Sequence, residues 1–312
     1  MTSPIIKPKA LPKNGTIGIV SPSSPMRDPS KLHAGIAYLE SLGYRVELAP
    51  HVGKADAYLA GSDEDRAADL QAMFANPKID AIFCTRGGYG AMRFLSLLDY
   101  KRIARTPKIL VGFSDVTALN AALCQRSRLL SFSGAMVGVD MPAFDTESEE
   151  QFWRIITSKK KIGIVRQSLQ TQCLRPGVAS GALVCGNLSI LAALQGSRYA
   201  PLTKGALLLC EDIGEESYRI DRLLCQMELS GALAASAAVL FGQFTMDAKR
   251  ESATATRPVL EVLQEYADRA AKPAVANIMY GHTAKKLTLP FGLTMQINTR
   301  TGVLRCGEAA VV

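Results

Sequence analysis

Only three histidines occur among the 312 residues: His33, His51 and His282. A serine acting as a nucleophile needs a proton acceptor of near-neutral pKa, and histidine is the usual one. His33 lies within a surface-helix pattern and His51 in a loop after a β-like run. His282 stands in MYGHTAKKLTLPFG, after a short apolar segment and between a glycine and a threonine. A loop histidine of this kind is either a base or an exposed structural residue. Ser114 is the matching nucleophile candidate, because it follows the buried run ILVGF and precedes the helical pattern VTALNAALCQR. A strand–Ser–helix turn lifts the hydroxyl to the top of a sheet and aims helix amides at it. The same residues also suit an ordinary helix N-cap at Ser114 or Asp115. The string GFSDV lacks the second glycine of GxSxG.

Three further segments carry candidate groups. TRGGYG (85–90) ends an apolar run with three glycines. Such a turn can bring backbone amides to an anion, or can be a tight turn that needs positive φ. No Lys-Ser/Thr follows it, so a phosphate-binding loop has little support. LLLCEDI (207–213) puts Glu211 and Asp212 at the end of a strongly apolar strand, where a carboxylate is costly without a partner. Glu215 and Glu216 lie beyond it as solvated residues, and Asp221 with Arg222 fits an ion pair on a helix face. CGNLS (185–189) offers a turn and the amide of Asn187, with a purely structural turn as the alternative.

The elements that must position these groups alternate. TIGIV, YRVELAP, IDAIFC, KILVGF and LLSFSGA read as strands, separated by helical patterns at 29–42, 63–75, 91–98 and 116–126. Ser62 suits an N-cap, with Asp63, Glu64 and Asp65 in the first turn. Continuous apolar strands separated by helices predict a parallel sheet covered on both faces, with its site at the strands' carboxyl ends. SPSSP, TRGGYG, GFSD and FSGAM all fall at such ends. The expected organisation is an N-terminal α/β domain over 1–145, a connection over 146–180 and a smaller α/β, β-rich domain over 181–312. The only tryptophan, Trp153, falls in the connection.

Composition excludes several classes. Hydrophobic residues make up 48% and charged residues 21%, the balance of a globular enzyme rather than a disordered chain. The net charge of +8 is scattered; its one cluster, Lys159–Lys161, reads as a solvated loop rather than a nucleic-acid stripe. Seven cysteines, an odd number without a CxxC pair, read as buried reduced thiols rather than disulfides or a zinc site. No apolar run is long enough for a signal peptide or a membrane span. A cytoplasmic protein without membrane or nucleic-acid partners is expected.

SPSSP, TRGGYGAMR, ILVGFSDVTALN, SGAM, GNLSIL, CEDIGEESYRIDR and YGHTAKKLTLPFG, in this order, resemble the LD-carboxypeptidases (muramoyltetrapeptide carboxypeptidases). The resemblance runs over about residues 14–305. It implies a parallel α/β domain similar to class I glutamine amidotransferases, joined to a smaller C-terminal domain. It implies Ser114 as nucleophile, His282 as its base, Glu211 orienting the base, and the Asp115 and Gly88 amides as oxyanion hole. It also implies a homodimer without metal or cofactor that removes terminal D-Ala from murein tetrapeptides. The released residue carries a carboxylate, which makes Arg86, Gly87 and Asn187 the candidate substrate contacts. A branch of the family instead cleaves an aminoacyl-nucleotide amide of processed microcin. Here Ile278-Met279-Tyr280 replaces the family's common lead into the Gly-His pair, which bears on substrate preference. A non-catalytic binding protein of the same fold is the remaining alternative.

Overall fold

A computed structural model describes residues 4–165, 169–245 and 257–312. Ser168, the first residue of the polar stretch in the expected connection, lies outside the described residues. The chain forms two compact units. One comprises Met1–Lys160, Thr288–Phe291 and Ala309–Val312; the other comprises Lys161–Leu287 and Gly292–Glu308.

The first unit alternates β1 (Thr16–Val20), α1 (Pro29–Ser41), β2 (Arg45–Leu48), α2 (Asp63–Ala75), β3 (Ala81–Cys84), α3 (Tyr100–Arg105), β4 (Ile109–Val111), α4 (Thr117–Ser127), β5 (Ser131–Ser133) and α5 (Thr146–Thr157). β2, β1, β3, β4 and β5 pair in parallel in that order. Every residue of β1, β3 and β4 is buried, as a sheet covered on both faces requires. α2 begins where its sequence signals place it: the Ser62 hydroxyl accepts the Asp65 amide, and three acidic residues occupy the first turn. The 91–98 helix is a 3₁₀ helix, Ala91–Leu97. α1 packs so closely that a Cβ at Gly35 would lie 1.9 Å from the Val137 carbonyl oxygen. Gly35→Ala should therefore destabilise the protein by about 2–3 kcal/mol in urea melts, its gain in helix propensity notwithstanding.

The second unit holds β6 (Gly163–Val165), β7 (Gln172–Arg175), β8 (Val178–Asn187), α6 (Leu188–Ala193), β9 (Leu207–Ile213), α7 (Ser217–Leu229), α8 (Ala232–Ala235), β10 (Ala238–Thr245), α9 (Val259–Ala270) and β11 (Ala274–Ala276). After β12 (Leu289–Phe291) the chain continues with β13 (Thr294–Asn298) and β14 (Val303–Cys306). Among these, β8, β9, β10 and β11 are parallel neighbours. Antiparallel strands extend both sides, β7 beyond β11, and β13, β14 and β6 beyond β8.

Several features differ from the sequence expectation. The 146–180 stretch carries α5 in the first unit and strands β6 and β7 in the second. α5 begins at the Asp145 cap and buries Phe152, Ile155 and Ile156. Trp153 stacks on Tyr44, with ring centroids 5.1 Å apart and planes 12° apart. β12, which falls within the 181–312 domain expected from sequence, pairs antiparallel with β5 in the first unit's sheet. All three of its residues, Leu-Pro-Phe, are buried, and the Gln151 side chain bonds both the Thr288 amide and its carbonyl. All seven cysteines are free thiols; four are buried, but Cys173 on β7 is exposed. Among the described residues, no helix is long and apolar enough to cross a membrane.

Candidate active site

In the first unit the loops after β1, β3 and β4 converge. Ser114 opens a 3₁₀ turn, Ser114–Val116, between β4 and α4. Its φ of +64° is the left-handed region that a residue with a Cβ avoids. This strained strand-to-helix corner has the geometry of a nucleophile elbow. Its foundations are fixed: Asn120 of α4 donates through Nδ2 to the Gly112 carbonyl at 3.1 Å.

The TRGGYG turn packs against the corner. A Cβ at Gly87 would stand 2.9 Å from Ser114 Cβ and 3.1 Å from its Oγ, so only glycine permits this approach. Gly88 has φ of +117°, and a Cβ there would meet Ser24 Oγ at 2.4 Å. Ser24 ties the turn to the loop after β1. Its hydroxyl accepts the Tyr89 amide at 3.1 Å, and its amide donates to the Gly87 carbonyl at 3.4 Å. Arg86 is half-buried and donates to the Gly87 and Pro25 carbonyls. Burial, together with neighbouring Arg27, pulls its pKa down. Asp115 is buried, and burial pushes its carboxyl up against the opposing pull of the nearby Ser23 hydroxyl, the Ala91 and Gly90 amides and Arg66.

In the second unit Glu211 and His282 meet. Glu211 sits near the end of β9 with a side chain 1% exposed, and its Oε2 lies 2.7 Å from His282 Nδ1. A carboxylate only accepts, so this contact selects the neutral tautomer with the proton on Nδ1 and the lone pair on Nε2. A bulge makes room for this pair. β10 runs in register with β9 up to Phe241 and Cys210, then resumes at Phe244 and Asp212. Gly242 and Gln243 therefore stand opposite the single residue Glu211. The Gln243 amide donates to the Tyr280 carbonyl at 2.8 Å, and its side chain holds Asn277 and Ile278, which fixes the segment leading to the histidine. Glycine is required twice: a Cβ at 242 would meet the Tyr280 carbonyl at 2.3 Å, and Gly281 has φ of +139° with Glu211 Oε2 3.1 Å from an added Cβ.

Asn187 pairs across from Glu211 at the end of β8. Its Oδ1 caps α6 by accepting the Ile190 amide, while Nδ2 donates to Asp212 at 2.9 Å and lies 3.5 Å from Glu211. Asp212 is buried and also accepts from the amide and hydroxyl of Ser189. The buried Asn187 side chain is thus part of the frame around Glu211. Of the other histidines, His33 is exposed, and the ring of His51 lies between Asp69 at 2.7 Å and Asp65 at 3.1 Å.

The chain matches the LD-carboxypeptidase N-terminal domain over residues 17–134 and the LD-carboxypeptidase C-terminal domain over residues 180–297. The chain belongs to the LD-carboxypeptidase family. It is similar to the probable murein peptide carboxypeptidase of Bacillus subtilis, 35% identical over 96% of this chain and 95% of that one. Its fold matches the microcin C7 self-immunity protein MccF solved with glutamyl sulfamoyl guanosine, with TM-score 0.89, 25% identity and coverage of 98% and 99% of the two chains. It also matches the muramoyltetrapeptide carboxypeptidase of Oxalobacter formigenes, with TM-score 0.80, 29% identity and coverage of 93% and 97%.

As an LD-carboxypeptidase of the serine type, the protein has groups around its candidate residues that the sequence alone leaves anonymous. Gln243, in a strand that reads as plain apolar core, shapes the histidine segment. Arg66 reads as one more charge after Asp63, Glu64 and Asp65, yet it is 2% exposed and bonds the turn loops. No local motif carries a signal for either, because their partners lie far along the chain.

Proposed function

We propose that this LD-carboxypeptidase hydrolyses the L,D-peptide bond that releases terminal D-Ala from murein tetrapeptides. The reading rests above all on the buried Glu211 carboxylate lying 2.7 Å from Nδ1 of the His282 imidazole. Ser114 Oγ attacks the carbonyl of the diamino acid's L-centre as His282 takes the hydroxyl proton. The Asp115 and Gly88 amides receive the oxyanion, each such donor being worth about 3 kcal/mol. His282 passes its proton to the departing amine and D-Ala leaves. Water, deprotonated in turn by His282, then frees the acyl group from Ser114. Glu211 keeps the base in the correct tautomer and stabilises the imidazolium. Arg86 is the candidate for the substrate carboxylate.

The names of the similar proteins support a murein peptide substrate, one of them being a probable murein peptide carboxypeptidase and another a muramoyltetrapeptide carboxypeptidase. Support for a homodimer acting in the cytoplasm comes from the family resemblance, and for a reducing compartment from the seven free thiols. The likeness to MccF favours an aminoacyl-nucleotide amide as the competing substrate. The deciding experiment incubates the protein with tri-, tetra- and pentapeptide muropeptides and, separately, with glutamyl sulfamoyl adenosine, and weighs the products. A tetrapeptide shortened by one alanine is expected. Cleavage of the nucleotide conjugate alone would transfer the protein to the competing reading.

A further inference from the structure

The glycine turn beside Ser114 is held from two sides by buried charge. Arg66, in the first turns of α2, is 2% exposed, and its guanidinium stacks over Phe94 at 5.1 Å. Nη1 donates to the Gly90 carbonyl at 2.8 Å and to the Pro22 carbonyl at 2.8 Å. Nε donates to the Ser62 carbonyl at 3.3 Å, and Nη2 forms an ion pair with Asp63. Asp115 approaches the same turn from the other side: its Oδ2 accepts the Ala91 amide at 2.8 Å, and the Gly90 amide faces its carboxyl. Gly90 is therefore gripped by its carbonyl and by its amide. A buried guanidinium is costly unless its donors are matched, and here they reach three carbonyls and a carboxylate. Two of those carbonyls, Pro22 and Gly90, belong to the loops after β1 and β3. Both bonds come from Nη1, and the planar fork lets Nε and Nη2 anchor that nitrogen by holding Ser62 and Asp63 at the same time.

We propose that Arg66 is a positioning residue for acyl transfer, its guanidinium locking the Gly87–Gly90 turn to the loop after β1 so that the Gly88 amide is preorganised for the oxyanion. The inference rests on the roles proposed for Ser114 and Gly88. Arg66 touches no substrate; it acts through the backbone it fixes. Preorganised amides cost no reorganisation as charge develops, so loosening the turn lowers kcat while leaving substrate affinity in place. A misplacement of about 1 Å in such a group costs roughly a hundredfold.

The test compares full-length wild type, Arg66→Met, Arg66→Lys and Ser114→Ala on a murein tetrapeptide, with the folded fraction of each set by urea melts. Per folded molecule, Arg66→Met is expected to lose about 10- to 100-fold in kcat with KM within about threefold of wild type. Arg66→Lys keeps the charge without the fork and should fall between the two. The rate of Ser114 phosphonylation by a fluorophosphonate should drop in parallel, because that reaction also places charge on an oxygen facing the turn. Wild-type kcat in Arg66→Met, or a raised KM with kcat unchanged, would overturn the inference. If Arg66→Met does not fold, wild-type kcat in Arg66→Lys overturns it. Ser114→Ala separates the two layers: activity surviving there removes the nucleophile assignment itself, whereas an inactive Ser114→Ala beside a fully active Arg66→Met removes only the role of Arg66.

Discussion

Ser114→Ala should fold as the wild type does and lose on the order of 10⁵- to 10⁶-fold in kcat for D-Ala release. In the proposed mechanism the hydroxyl forms the acyl bond, so nothing substitutes for it except water held by the remaining site. A second substitution separates chemistry from strain. The left-handed φ of +64° costs a residue with a Cβ about 1–2 kcal/mol, and glycine is spared that cost. Ser114→Gly should be as inactive as Ser114→Ala yet more stable by about 1 kcal/mol, the greater freedom of glycine in the unfolded chain offsetting part of the gain. Urea melts and single-turnover assays read the two effects separately. If Ser114→Gly proved less stable than Ser114→Ala, the strained corner would be no reservoir of strain.

His282→Ala should lower kcat by about 10⁶-fold, and Glu211→Gln by about 10⁴-fold. The reason for the second figure lies in the hydrogen-bond inventory. A glutamine amide can donate to Nδ1, which turns the ring's other nitrogen into a donor and removes the base. The proposed mechanism makes the two side chains one unit, so the double variant should be no slower than His282→Ala alone. Additive losses would show that Glu211 acts on something other than the imidazole. Stability should respond as well. His282→Ala leaves a 1%-exposed carboxylate without its ring partner, a loss of about 1–3 kcal/mol. Glu211→Gln, which removes the charge, should be milder.

The residues with candidate chemistry were readable because each stands at the end of an apolar run. Ile109–Val111 and Leu207–Leu209 announce buried strands, and Ser114 and Glu211 follow them. α2 was readable to the residue, since Ser62 and three acids mark its start. What escaped was whatever depends on partners distant in sequence. Leu-Pro-Phe at 289–291 reads as one more C-terminal strand, but its partner is Ser131–Ser133, more than 150 residues earlier. The bulge at Gly242–Gln243 exists only relative to Glu211 on the neighbouring strand, so no window of β10 reveals it. Arg66 looks solvated because periodicity cannot say that Pro22 and Gly90 present carbonyls to it.

The placement of β12 bears on biosynthesis. Residues 1–160 leave the ribosome with every parallel strand of the first sheet, yet β5 stays an open edge until Leu289–Phe291 emerge. The last residues are also needed, since the Val312 amide bonds Pro8 and its carbonyl accepts from Ala10. Nascent chains therefore carry an unpaired strand edge while residues 134–288 are added, the kind of surface that recruits chaperones or other chains. An isolated 1–160 fragment should inherit that exposure permanently and precipitate, while the same fragment supplied with a peptide spanning 286–293 should remain in solution.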